Sequence, residues 1–239
     1  MKIKVIMTDK ATSKETMRAR EEMLQAAVSK DVIISVDAVK DGPDELDNYT
    51  DEAFCAREMI REGIRAEKEG YDAIVIYCFS DCAIDALREN VSIPVIGPRR
   101  ASMAVAETMC DRFMLITTAD ENVHEMYRVM AEDAVARAKM TSVRPLNIDI
   151  SNVRVDPTET IKRIVDVTKK AIEEEHIDAI VFGCLSFASY GSMVEAELPV
   201  KVLDPAFIAV AYAEMCARLG INHSRLAWPL FKNLSHFEI

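Results

Sequence analysis

The sequence predicts an α/β fold of two pseudo-symmetric lobes, each a parallel sheet flanked by helices, and three observations carry that expectation. Short β-branched runs alternate with longer helical patterns along the whole chain, which is the order of a parallel sheet covered by helices. The runs "DAIVIYC" (72–78) and "DAIVFGC" (178–184) are apolar at successive positions, as befits strands buried on both faces. Finally, one stretch is written twice, "YDAIVIYCFSDCAIDALRENVSIPVIGP" at 71–98 and "IDAIVFGCLSFASYGSMVEAELPVKVLDP" at 177–205. Asp72 pairs with Asp178, Cys78 with Cys184, Pro94 with Pro199 and Pro98 with Pro205, at offsets of 106, 106, 105 and 107. That period is far too long for a solenoid, so it marks two copies of one larger unit.

The elements follow in order. "IKVIM" reads as a strand and "SKETMRAREEMLQAAVSK" as a helix that Ser13 caps. "DVIISVDAV" is the next strand, and "DEAFCAREMIREGIRAEKEG" a helix that Gly70 stops. The strand at 73–77, a helix near "AIDALREN", the strand "IPVIG" and the helix "ASMAVAETMC" complete the first half. In the second half come the strand "RFMLITT", a helical stretch "TADENVHEMYRVMAEDAVARAKM" and the strand "VRPLNIDI". A helix capped by Thr158 leads to the strand at 179–182, then "LPVKVLDP" and the helix "AFIAVAYAEMCARLG", closed by Gly220. No Gly/Ser-rich or Pro-rich linker separates the halves. The expected division is residues 1–98 plus about 206–239 for the first lobe and 99–205 for the second.

Half of the 239 residues are apolar, ample for a core, and the formal charge of −11 argues against a nucleic-acid partner. The opening "MKIKVIM" reads as a strand rather than a leader, and no stretch approaches the roughly 18 apolar residues of a membrane span. The expectation is a cytoplasmic protein with no membrane partner and six reduced cysteines.

Ligands of open parallel sheets sit beyond the carboxyl ends of the strands, and Cys78 and Cys184 each read as the last residue of such a strand. A helix N-terminus is expected after each, favouring thiolate and substrate oxygens. A cysteine ending a buried strand is ordinarily an inert core residue. Two at matching repeat positions suggest a pair facing one cleft between the lobes. Two like groups on opposite faces of one carbon suit racemisation or epimerisation, one removing the proton and the other returning it. With each sulfur roughly 3–3.5 Å from the carbon, the two would stand about 7 Å apart. No metal or cofactor is needed.

At these residues the chain resembles the aspartate/glutamate racemase superfamily, most closely its hydantoin racemase branch, which includes allantoin racemases. The matching pieces are "DAIVIYCFSD" (72–81), "ALRENVSIPVIG" (86–97), "RFMLITT" (112–118), "SVRPLNI" (142–148) and "DAIVFGC" (178–184), with "GPDELDNYTDE" (42–52) between the second and third strands. The resemblance covers nearly the full length. It implies a two-lobed α/β fold, cofactor-independent proton transfer at a carbon next to a carbonyl, and Cys78 and Cys184 as paired acid and base. It also implies a small-molecule carbonyl substrate, held by Thr8, Phe79, Ser80, Asp81, Thr117, Thr118, Leu185 and Ser186, and a homo-oligomer. Two loops depart from the family pattern. "MTDKATSKET" replaces an Asn-Pro-Asn-Thr-like turn, leaving Thr8, Asp9 and Thr12 as substitutes, and "SDCA" replaces an Asp-Pro-Gly turn.

A cyclic ureide such as a hydantoin or allantoin is the first substrate expectation, because it brings no free carboxylate or ammonium group. The alternatives are a decarboxylase or cis–trans isomerase on the same scaffold, or a non-catalytic small-molecule-binding protein. Among other residues, Cys82 reads as a structural residue of a first helical turn, since no Cys or His cluster completes a zinc site. His124, His176, His223 and His236 have no mutual ligand spacing, and Arg99 and Arg100 read as exposed charges. No phosphate-binding glycine motif is present.

Overall fold

The computed structural model describes residues 1–231; the expectations placed on 232–239, His236 among them, lie outside the described residues. The chain divides into two compact units, Met1–Pro98 with the described residues from Ala209 onward, and Arg99–Ile208. Each holds a four-stranded, fully parallel sheet.

In the first unit β1 (Lys2–Met7), α1 (Lys14–Gln25), β2 (Ile33–Ala38), α2 (Tyr49–Lys68), β3 (Ala73–Ile76), α3 (Ile84–Asn90) and β4 (Val95–Ile96) follow one another. Their sheet order is β2-β1-β3-β4. In the second, α4 (Pro98–Met109) leads to β5 (Phe113–Thr117), α5 (Glu121–Met130), α6 (Ala134–Lys139), β6 (Met140–Pro145), α7 (Pro157–Glu175), β7 (Ala179–Phe182), α8 (Gly191–Glu195) and β8 (Lys201–Leu203). The order is β6-β5-β7-β8, the same path repeated, and α9 (Pro205–Leu219) follows.

Side chains explain the elements. All four residues of β3 and of β7 are buried, because helices cover both faces of a central parallel strand. Ile6, Ile74 and Ile76 pack with Met59, Leu87 and Val95 in the first core; Met114, Ile116, Phe182 and Phe187 do so in the second. Each such side chain contributes about 1.5–3 kcal/mol on burial. Asn48 caps α2 by accepting from the amides of Thr50 and Asp51, with Asp51 and Glu52 in its first turn and Arg65 and Lys68 in its last, all favourable to the helix dipole. Ser13 caps α1 as expected, and Gly70 and Gly220 take the positive φ that ends a helix.

Three expectations are corrected. The stretch 118–140 holds two helices, because the Asp133 carboxylate accepts from the amides of Val135 and Ala136 and so starts a new one. The cap of α7 is Asp156, not Thr158, since Pro157 takes the first helical position. "VRPLNIDI" gives a strand only to Pro145, and its last residues belong to a connection.

The segment after α9 lies along α3 and β4. Arg225 donates to the carbonyls of Arg88 and Val91, each at 2.8 Å, and Trp228 Nε1 donates to Asp85 at 3.1 Å. Val95 N, on the edge strand, donates to His223 Nε2 at 2.8 Å, so an imidazole satisfies an edge amide. Among the described residues no helix is long and apolar enough to cross a membrane.

Candidate active site

In a sheet ordered β2-β1-β3-β4 the chain path reverses direction between β1 and β3, the point at which open parallel sheets generally bind their ligands. Register fixes what stands there. Ile6 pairs with Ile76 and Tyr77 N donates to Ile6 O at 2.9 Å, after which Thr8 and Cys78 emerge on adjacent strands. The second unit repeats this between β5 and β7. Ile116 pairs with Phe182 and Gly183 N donates to Ile116 O at 2.7 Å, after which Thr117, Thr118 and Cys184 emerge together.

Each sequence-predicted residue thus lies at or just beyond the carboxyl end of β1, β3, β5 or β7. Cys78 and Cys184 are half-buried, and each thiol meets the hydroxyl two residues on, Ser80 at 3.3 Å and Ser186 at 3.0 Å. Such a hydroxyl can donate to a thiolate or accept from a thiol as the charge comes and goes. Phe79 and Leu185 are each 3% exposed, so their main-chain amides are what they can offer a ligand. Thr8, Thr117 and Thr118 are buried at the strand ends. The Thr8 carbonyl accepts from the Cys55 thiol at 3.1 Å, and Thr118 Oγ1 donates to Asn122 at 3.2 Å. Asp9 accepts from both the amide and the hydroxyl of Thr12, which folds "TDKAT" into a closed turn, and Lys10 N donates to Pro43 O at 3.1 Å, joining it to the "GPDELD" loop.

The cysteines are not strand-final. β3 ends at Ile76 and β7 at Phe182, two residues before the thiols. Nor does an α-helix begin at either one. Cys184 is followed by a 3-10 turn, Leu185–Phe187, and Cys78 by a turn that reaches α3 only at Ile84. A serine hydroxyl, and not the first turn of an α-helix, follows each thiol at a distance of two residues. Cys82 precedes α3 and is buried within hydrogen-bonding reach of Cys55; that contact and burial push its thiol far above the ordinary range. Arg99, expected to be exposed, is buried and donates to Val129 O at 3.5 Å. His124 lies exposed on α5. Among the described residues no group of three or more His, Cys, Asp and Glu side chains is arranged to hold a metal ion.

Both loops carry backbone in the left-handed region, Asp81 and Ala83 at φ 57° and Ser189 at φ 76°. For residues other than glycine this costs roughly 1–2 kcal/mol each. Gly183 is also required. A Cβ there would stand 2.8 Å from the Ile116 carbonyl oxygen, which cannot yield without breaking the β5–β7 pairing. Sequence reasoning passed over Gly97, Arg154, Ser189 and Asp204. The one available signal was the mismatch of the copies, Gly97 and Asp204 before the paired prolines and Asp81 against Phe187.

Each unit of the doubled parallel α/β scaffold thus carries one half-buried thiol beside a serine hydroxyl, two residues past its third strand. The family model for Asp/Glu/hydantoin racemases matches residues 3–213. A hydantoin racemase from Pseudomonas sp. (strain NS671) is 30% identical over 230 residues, 95% of this chain and 90% of that protein. One from Paenarthrobacter aurescens is 26% identical over 93% of this chain and 94% of its own length. The solved allantoin racemase of Klebsiella pneumoniae has the same fold, with a TM-score of 0.88 at 24% identity over 98% of this chain and 96% of that one. The chain belongs to the Asp/Glu/hydantoin racemase family and is an isomerase of the racemase type.

Proposed function

We propose that the chain interconverts the enantiomers of a hydantoin-like or allantoin-like cyclic ureide, with Cys78 and Cys184 as the two proton carriers. The observation that supports this most is the equivalence of the thiols. Each follows the third strand of its unit by two residues, and each is paired with a serine hydroxyl. One cysteine, as thiolate, takes the proton from the ring carbon next to the carbonyl. The electron pair moves onto the carbonyl oxygen, and the other cysteine, as thiol, returns a proton to the opposite face. The reverse reaction exchanges the roles, so no net proton or electron is consumed.

The main-chain amides of Phe79 and Leu185 and the hydroxyls of Thr8, Ser80, Thr117, Thr118 and Ser186 are the donors this mechanism would use at the enolate oxygen. Asp81 is assigned to shaping its loop. No cofactor enters the scheme. A homo-oligomer and a cytoplasmic setting belong to the same reading, and sedimentation velocity tests the first. The reaction is tested by incubating single enantiomers of 5-substituted hydantoins and of allantoin in heavy water, following optical rotation and deuterium uptake. Loss of rotation with one deuterium gained per inverted molecule is the expected result. Unchanged rotation with every ureide would reject the proposal.

A further inference from the structure

The two cysteine loops share one positive-φ position but keep a buried carboxylate on opposite sides of it in sequence. Ala83 and Ser189 stand 106 residues apart, the offset that relates Cys78 to Cys184, and both adopt positive φ. Strain of this kind persists only where neighbouring contacts impose it. Around Ser189 those contacts are plain. Asp204 Oδ2 accepts from Ser189 N at 2.8 Å, while its Oδ1 accepts from Ala206 N at 3.1 Å in the first turn of α9. Arg154 donates to Ala188 O at 2.5 Å and lies over the Tyr190 ring. The 3-10 turn then transmits this anchor to the thiol, because Phe187 N donates to Cys184 O at 3.3 Å and Ala188 N to Leu185 O at 3.2 Å.

In the first unit the residue before the matching proline is Gly97, which has no carboxylate to give. The loop supplies one itself. Asp81 is 3% exposed and lies so close that a Cβ on Gly97 would come within 2.3 Å of its carboxyl carbon and 2.5 Å of both oxygens. Asp81 also reaches the cysteine directly, its amide donating to Cys78 O at 3.2 Å, and its carbonyl accepts from Ile84 N at 3.1 Å at the start of α3. The second copy has Phe187 where the first has Asp81, and the first has Gly97 where the second has Asp204. In one copy the carboxylate before the proline reaches the loop, and in the other the loop's carboxylate lies against the glycine before the proline.

We propose that Asp81 and Asp204 are reciprocal positioning residues, each fixing the loop that holds one thiol against its serine. The inference rests on the two-thiol reading for its consequence in catalysis, though not for its test. Because each aspartate serves its own loop, a change at one should be felt by one cysteine alone.

The test is the pH dependence of iodoacetamide labelling at Cys78 and at Cys184, each read by peptide mass spectrometry, alongside kcat and KM with whichever ureide is turned over. Gly97→Ala, which drives Asp81 from its seat, should raise the labelling midpoint of Cys78 by about one unit and leave Cys184 unmoved. Asp204→Asn should do the converse. In either variant kcat should fall by up to about 10²-fold with KM little changed. Gly97→Ala should add nothing further in an Asp81→Ala background, where no γ atom remains to be displaced. Gly97→Asp in that background, which gives the first copy the arrangement of the second, should restore the Cys78 midpoint.

Midpoints that move at both cysteines or at neither, additive losses, or no restoration by Gly97→Asp would overturn the proposal. If Asp204→Asn fails to fold, the Gly97 and Asp81 variants still decide. Labelling needs no turnover, so selective midpoint shifts without racemisation would uphold the positioning role while rejecting the proposed reaction.

Discussion

Cys184 Sγ lies 3.0 Å from Ser186 Oγ, and its repeat partner Cys78 lies 3.3 Å from Ser80 Oγ. A hydroxyl held there stabilises whichever thiol is ionised. Hydrogen bonds to charged groups contribute about 1.5–3 kcal/mol, equivalent to a pKa unit or more. Ser186→Ala is therefore expected to move the labelling midpoint of Cys184 upward by about one unit, and Ser80→Ala to do the same for Cys78. A midpoint unchanged in both would remove the serines from the mechanism.

Gly183 tests the scaffold beneath Cys184. With only 2.8 Å from an added Cβ to the Ile116 oxygen, Gly183→Ala must separate β7 from β5 or tilt the cysteine. An expected destabilisation of about 1–3 kcal/mol, typical of overpacking, would appear as a lower urea midpoint with unchanged slope. Activity should fall further than stability.

His223 makes the docking of the last described segment sensitive to acid. Burial, with help from the Arg88 and Arg225 cations, lowers its imidazole to about 4 against the pull of Asp85, and the Val95 amide bonds only the unprotonated Nε2. The folded value lies below the ordinary value of about 6.5, so docking is strongest above 6.5 and weakens as pH falls toward 4. The full loss is at most about 3 kcal/mol. Trp228 is the chain's only tryptophan, and its ring centroid lies 5.7 Å from that of His223, so its fluorescence reports the change. A midpoint near 4 that disappears in His223→Phe is expected; one near 6.5 would place the imidazole in solvent.

Phe187 carries the second core up to the cysteine loop. It is fully buried, with its ring centroid 5.6 Å from that of Phe182. Phe187→Ala should cost about 3–5 kcal/mol, measured by denaturant unfolding. A loss below 1 kcal/mol would mean that the loop is not anchored to that core.

Much of this was legible in the sequence because duplication shows each strand twice. The runs at 73–76 and 179–182 are central strands, and the paired cysteines follow equivalent strands at the same distance. The misread parts depend on contacts that periodicity does not encode. The cysteines lie beyond their strands because the β1 and β5 ladders end at Tyr77 N and Gly183 N, after which the backbone turns away. The break at Asp133 is a local cap overriding a continuous helical pattern. The burial of Arg99 depends on a carbonyl thirty residues away. Asp204 and Gly97 escaped notice because their role lies in the difference between the copies, whereas a repeat directs attention to what is the same.

The central claim is that two thiols, one from each copy, share a single proton transfer. It is tested most directly by racemisation in heavy water with Cys78→Ser, Cys184→Ser and the double variant, measured on one enantiomer of the best ureide substrate. Each single change is expected to abolish inversion, by about 10³-fold or more, and the double change to add little, as for groups that act as a unit. Inversion that survives undiminished in either single variant would contradict the account.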